Sequence, residues 1–325
     1  MISNATNWNP LLENDTIDAL NEALINGRGK ELIQLSEVFH EHQLACISDM
    51  IASRSEVKLI LIAGPSSSGK TTTSKRIAFH LRTLGINPVV VELDNYFVDR
   101  DKTPLDEKGE YDYESINAID VAFINEQLTD LFAGKEVEMP TYNFHTGYRE
   151  FRGNTLKMNK NDVIIMEGIH GLNPLLTASI PDAQKFRIYA SILTSLTIEN
   201  EKVTANDTRL LRRMVRDNQF RGESPAATIL RWKSVQAGEQ KYIFPFKEYA
   251  DAQFNSALVY ELPLLKSYAD NLLRSVKDDS PAYSEARRLL KFIMMHVVAL
   301  TPKEVSKIPP TSIVREFIGG SSISY

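Results

Sequence analysis

Eight residues from Gly64 to Thr71 read GPSSSGKT, small residues closed by a lysine and a hydroxyl. Gly64, Ser66, Ser67, Ser68 and Gly69 can let consecutive backbone N–H groups close around phosphate oxygens. Lys70 would then reach the terminal phosphates, Thr71 would offer its hydroxyl to magnesium, and Thr72 would make a further nucleotide contact. A glycine–serine turn that binds nothing is the plain alternative. It is disfavoured by an apolar run before the motif and a helical pattern after it. Glu167 closes the buried run DVIIME (162–167), where a carboxylate can face the loop across the sheet end and contact magnesium. Three more carboxylates crowd LDNYFVDRD (93–101). Of these, Asp94 alone stands at the carboxyl end of a strand pattern, placed to meet both magnesium and an acceptor hydroxyl. Asp99 and Asp101 read as a polar loop, and Tyr96 and Phe97 as candidate walls of an acceptor pocket or as core.

Arg209, Arg212, Arg213 and Arg216 recur at helical spacing and form, with Arg221, a cationic cluster in an acidic chain. A mobile helix that carries guanidinium groups over a transferring phosphate would neutralise charge and exclude water. A solvated basic face paired with Asp207 and Asp217 is the alternative. The histidines carry less. His145 could reach a bound base from a turn, His40 and His42 lack the spacing to share a metal and read as surface residues, and His170 has no evident partner.

These groups need a frame. VKLILIA (57–63), PVVVEL (88–93), DVIIME, FRIYAS (186–191) and SALVY (256–260) read as buried strands, alternating with helical patterns at 70–84, 116–133 and 207–218. That alternation predicts an α/β doubly wound parallel sheet with ligands at the strands' carboxyl ends. Residues 135–158 break the rhythm with alternation and turn residues, predicting a β-hairpin insertion able to wall a pocket. Two helices are expected over 15–53, and Ser280–Pro281 reads as the start of a helix to about 297. The organisation predicted is a helical N-terminal extension (1–55), a phosphate-binding domain (56–262) with an arginine-rich lid near 205–245, and a helical C-terminal extension (263–325) packed on it. DEKG (106–109) and NKND (159–162) imitate two GTPase motifs, but neither stands in the right context after a strand.

Length, 325 residues, suits one large α/β unit or two small ones. With 37 Lys+Arg against 42 Asp+Glu, the charge balance argues against a general polyanion-binding surface, though a local basic cluster could still hold one phosphorylated ligand, so no nucleic-acid partner is expected. One cysteine, Cys46, reads as a buried helix residue and fits a reducing compartment. The opening MISNATNWNP has no basic segment leading into an apolar one, and no run of 18 apolar residues occurs. The expectation is a soluble cytoplasmic protein with no membrane partner; whether it forms a homo-oligomer is open.

In order, GPSSSGKTT, LDNYF, YDYES (111–115), PTYNF (140–144), IIMEGIHG and DTRLLRRMVRD (207–217) with RG at 221–222 resemble the uridine kinase and phosphoribulokinase family of P-loop small-molecule kinases over about 57–260. The flanks, including SIVREFIGGSS (312–322), resemble a longer bacterial nucleoside-kinase branch. The resemblance implies a P-loop NTPase-type fold, ATP and Mg²⁺ as donor and cofactor, and transfer of the γ-phosphoryl group to a nucleoside 5′-hydroxyl. It implies Asp94 as general base, Lys70, Arg212 and Arg216 at the transferring phosphate, and Arg213 and Arg221 on ATP. Asp112 and Arg209 would meet the ribose, and Tyr142 and Phe144 the base, with His145 as a candidate base reader. Thr71, Asp94 and Glu167 would hold the metal. Asn143 stands where the family pattern has aspartate, and Gly147 where uridine–cytidine kinases carry a histidine or similar residue. A sugar-phosphate kinase is the second reading and would need cations in the acceptor pocket, where only Arg100, Lys102 and Arg149 are available. A non-catalytic nucleotide-binding regulator is the third.

Overall fold

A computed structural model describes residues 15–106, 109–193, 196–198, 201–202 and 204–324. The opening MISNATNWNP and the middle of DEKG lie outside them. Two helices come first, α1 (Ile17–Ile25) and α2 (Gly29–Ala52), then β1 (Leu59–Ala63), α3 (Lys70–Thr83), β2 (Asn87–Glu92) and α4 (Val121–Phe132). A hairpin follows, β3 (Glu136–Asn143) and β4 (Tyr148–Lys157), then β5 (Asp162–Glu167), β6 (Lys185–Ser191) and the short pair β7 (Thr197–Ile198) and β8 (Glu201–Lys202). Helices α5 (Ala205–Arg221) and α6 (Pro225–Tyr242) precede β9 (Ala252–Asn255). The remaining helices are α7 (Glu261–Arg274), α8 (Tyr283–His296), α9 (Pro302–Val305) and α10 (Arg315–Ile318).

The central sheet runs β2-β5-β1-β6-β9, parallel throughout. Buried strands must feed two cores, and β1 does so by alternation. Ile60 and Ile62 join one cluster with α2, α3, α5, α7, α8 and Phe317 of α10, while Leu59 and Leu61 join the other beneath α4 and the hairpin. Residues fully buried in these clusters, such as Leu210, Leu211 and Met214 of α5, each contribute about 1.5–3 kcal/mol of transfer free energy. The larger cluster takes in Ile17 at one end of the chain and Ile318 at the other.

Register places the chemistry. Glu167 lies beside both Glu92 and Ile62, so the carboxyl ends of β5, β2 and β1 open on one edge. The hairpin forms as the alternation predicts.

Several local expectations are corrected. SALVY is not a strand: β9 ends at Asn255, whose side chain accepts from the Leu193 and Ala257 amides and turns the buried chain toward α7. An apolar run signals burial but not extended pairing. Asp120 caps α4 by accepting from the Phe123 amide, so residues 116–118 form only a 3₁₀ turn ahead of it. The helix expected from Ser280–Pro281 begins at Tyr283, because Ser280 accepts from the Ala282 amide within the preceding turn. Cys46 is exposed, not buried. His40 is fully buried, its Nε2 2.8 Å from the Ala257 carbonyl and its ring against Phe254. Burial, with Arg76 nearby, pushes that imidazole down to about 3, keeping it neutral. No helix among the described residues is long and apolar enough to cross a membrane.

Candidate active site

The phosphate loop joins β1 to α3. Gly64 must be glycine because a Cβ there would collide with the Ala190 carbonyl of β6. Ser67 is the non-glycine residue with positive φ among the described residues, at 56°, and Gly69 follows at 83°. A left-handed turn of this kind aims successive N–H groups inward, and its strain of about 1–3 kcal/mol persists only where the surroundings enforce it. The Ser67 and Ser68 hydroxyls are buried without partners, as expected of a cradle for an anion. Lys70 curls back, its Nζ 3.3 Å from the Pro65 carbonyl.

At the sheet edge Thr71 donates to Glu167, 2.7 Å, so hydroxyl and carboxylate converge as the sequence predicts. Burial raises the Glu167 carboxyl to about 7, Asp94 and Glu316 pushing the same way and Lys70 and the Thr71 hydrogen bond opposing. Asp94 opens the 3₁₀ turn Leu93–Tyr96 that follows β2 directly. It reaches solvent yet is closely enclosed by protein, as at the floor of an open cleft. That enclosure raises its carboxyl above the usual range, with Glu92 adding and Lys70 and Arg221 opposing. Two carboxylates and a hydroxyl form a hard-oxygen set that fits magnesium shared with phosphates, since an ion so held needs few protein ligands. No cluster of three or more His, Cys, Asp or Glu able to hold a metal occurs among the described residues.

The arginines of α5 divide by role. Arg213 donates to the Ser66 hydroxyl at 2.9 Å and to Asp217 at 3.1 Å; Arg216 and Arg221 also pair with Asp217, and both line a cleft that opens on Thr71. Arg212 corrects the expectation that it reaches the transferring phosphate. It has no exposed surface, pairs with Glu261 of α7, and donates to the Ser256 carbonyl at 2.7 Å and the Ser67 carbonyl at 3.2 Å. Arg209 likewise is not directed at a ribose: it grips Glu239 of α6 with bonds of 2.5 and 2.9 Å. Glu239 in turn accepts from the Ser66 amide, 2.8 Å, so α6 holds the outer turn of the loop.

On the acceptor side Phe97, Tyr142 and Phe144 gather, with centroids 5.1–6.3 Å apart and Tyr113 edge-on to Phe97. Tyr96 is instead core, 3% exposed with its hydroxyl on Gln127. Asp112 accepts from the Tyr242 hydroxyl at 2.7 Å. Glu114, which sequence reasoning passed over, sits against Gly238; burial, with Glu239 beside it, raises its carboxyl to about 7. Asn143 builds the hairpin turn, its side chain accepting from the His145 and Thr146 amides, and the His145 side chain is exposed. His170 is buried edge-on to Tyr242; burial pushes its imidazole down to about 4 against the backbone at Glu114 and Ser115. Neither of its ring nitrogens closes a hydrogen bond of good geometry.

Sequence reasoning singled out SIVREFIGGSS after α9 only for its resemblance to the longer branch and did not foresee its place beside the phosphate loop. Ile313 packs on Gly69, Glu316 accepts from Thr72 at 2.6 Å, and Gly319 and Gly320 both adopt positive φ beside the cleft. Their one local signal is the Gly–Gly pair.

The sequence profile of the phosphoribulokinase / uridine kinase family matches residues 59–262. A uridine kinase of Macrococcus caseolyticus is 32% identical over 61% of this chain and 87% of its own length, and one of Staphylococcus aureus is 34% identical over 59% and 84%. A solved structure described as a possible uridine kinase from Bacillus stearothermophilus is 22% identical, covers 61% of this chain and 88% of its own, and superposes with a TM-score of 0.40.

Proposed function

The chain belongs to the phosphoribulokinase / uridine kinase family and is an ATP-dependent kinase that phosphorylates a hydroxyl group, and from that premise we propose that its acceptor is the 5′-hydroxyl of a uridine- or cytidine-like nucleoside. The observation that carries this reading is the aromatic group Phe97, Tyr113, Tyr142 and Phe144, whose Phe97 follows directly on the Asp94 turn and whose neighbouring cations are already engaged. Arg100 donates to the Phe144 carbonyl, Lys102 pairs with Asp99, and Arg149 pairs with Asp120. A phosphorylated sugar would need a free cation there, whereas a nucleobase needs faces to stack on.

Asp94 takes the acceptor proton as the oxygen attacks, and its raised carboxyl brings it nearer neutral pH, where a general base works best. Lys70, Arg213, Arg216 and Arg221 balance charge spread over the phosphoryl oxygens, and the loop amides hold the donor in line. Magnesium, held by Thr71, Glu167 and Asp94, would neutralise donor phosphate charge. Asp112, fixed by Tyr242, orients the ribose hydroxyls.

The test is ATP consumption across nucleosides and sugar phosphates, with Asp94→Asn alongside. Expected are turnover on a pyrimidine nucleoside and a loss in kcat of about 10²–10⁴-fold in the variant at unchanged melting temperature. Turnover confined to sugar phosphates would sink the acceptor assignment, and wild-type turnover by Asp94→Asn would sink the base.

A further inference from the structure

We propose that the C-terminal segment Ile313–Ile323, outside the stretch the family profile matches, builds the seat for the base of the donor nucleotide and selects the donor there. The proposal rests on the donor being a nucleoside triphosphate. A cleft of about 510 Å³ opens on Thr71 and runs outward between the end of α5 and this segment. That volume falls within the range of small-molecule sites, roughly 300–1,000 Å³. Since residues 64–71 fix the phosphates, a cleft starting at Thr71 is where the rest of the donor has room to extend.

Its walls suit a nucleoside. Arg216 and Arg221 line the cleft as the groups that meet the phosphates, while Arg315 adds a further guanidinium and Phe220 stands 55% exposed on the cleft. An aromatic face beside guanidinium planes is a stacking platform for a base. Beside it the amide of Gly319 (φ 84°) donates to the Arg315 carbonyl and its own carbonyl accepts from Arg315, while Gly320 (φ 72°) presents bare backbone that can meet the hydrogen-bonding edge of a base without a side chain between. A Cβ on Gly319 would stand 2.9 Å from the Gln219 side-chain amide, which must then swing aside, and 3.4 Å from Phe220, so the backbone lies close against α5.

The segment is held firmly enough to serve as a wall. Glu316 accepts from Thr72, Gln219 donates to the Ile318 carbonyl at 3.1 Å, Lys75 reaches the Ser324 carbonyl, and Ile313 covers Gly69. These contacts tie it to both the phosphate-loop helix and the arginine helix. A base seated here touches residues from the loop, the lid and the C-terminal segment at once.

The test separates base from phosphates by measuring Kd for ADP and for tripolyphosphate, both with magnesium, by calorimetry on the full chain. Wild type should bind ADP well beyond tripolyphosphate. Phe220→Ala, an exposed site, should weaken ADP about tenfold while tripolyphosphate moves less than twofold, as stacking on one aromatic face predicts. Gly320→Val should weaken ADP at least as much, and its melting curve, recorded alongside, shows whether it is folded. Unchanged ADP affinity in Phe220→Ala, or equal loss for both ligands, overturns the proposal. A wild-type chain that binds tripolyphosphate as tightly as ADP overturns the base seat alone, and one that binds neither overturns the nucleotide reading as well.

Discussion

Replacing Arg212 with methionine distinguishes a guanidinium that acts on substrate from one that holds the protein together. The side chain is fully buried against Glu261, itself 2% exposed, and donates to the carbonyls of Ser256 and Ser67. Methionine leaves the Glu261 carboxylate buried and uncompensated, which costs about 3–5 kcal/mol where one partner of a buried pair is removed. Against a total stability of about 5–15 kcal/mol, that is a drop in melting temperature on the order of 10 °C. Adding Glu261→Leu removes the stranded charge but leaves the two carbonyls short of a donor at about 1 kcal/mol each. The double variant should therefore recover roughly half the loss, and because Glu261→Leu alone strands the guanidinium at a similar cost of about 3–5 kcal/mol, the coupling is about 6 kcal/mol. Thermal melts of wild type, both single variants and the double variant give the cycle. Initial rates at a temperature where all four are folded give kcat, expected within about tenfold of wild type because Arg212 meets the loop only through the Ser67 carbonyl. A single variant that melts with wild type yet loses more than a hundredfold in kcat would refute the structural role.

Further outcomes follow from the site. The Glu167 carboxyl is raised to about 7, so the folded chain keeps a proton that the unfolded chain releases from about pH 4.5 upward. Its contribution to stability is full below about 4.5 and lost as pH rises through about 7; Glu167→Gln should thus gain about 2 kcal/mol over wild type at pH 8 and nothing at pH 4, read by urea melts, and an equal difference at both would refute the shift. Phe97→Ala should raise the acceptor KM about tenfold while leaving ADP affinity in place, since its ring neighbours are Tyr113, Tyr142 and Phe144. Tyr242→Phe frees Asp112 from its 2.7 Å partner and should raise acceptor KM a few-fold with kcat held; an effect on kcat alone contradicts a positioning role.

Local chemistry was legible where it is self-contained. GPSSSGKT carries its own loop geometry, and Glu167 and Asp94 follow from ending buried strands of one parallel sheet. The arginines were legible as a set but not individually. Helical spacing put Arg209, Arg212, Arg213 and Arg216 on one side, yet their division depends on Glu239 and Glu261, 30 and 49 residues further along the chain. His40 is buried by a contact with Ala257, 217 residues away, and no local pattern distinguishes it from a surface histidine. The role of Ile313–Ile323 was hidden for the same reason: its meaning lies in contacts with Gly69, Thr72 and Gln219.

That segment also sets an order of events at the ribosome. The sheet is complete in sequence once β9 has emerged, but the outer side of the phosphate loop stays uncovered until α7 and α8 have followed and Ile313 can dock on Gly69. At about 5–20 residues per second, the nascent chain spends a few seconds with its phosphate cradle formed and one wall missing. A donor that meets the emerging chain would thus find the phosphate loop alone, and the wall supplied by Ile313–Ile323 is added last.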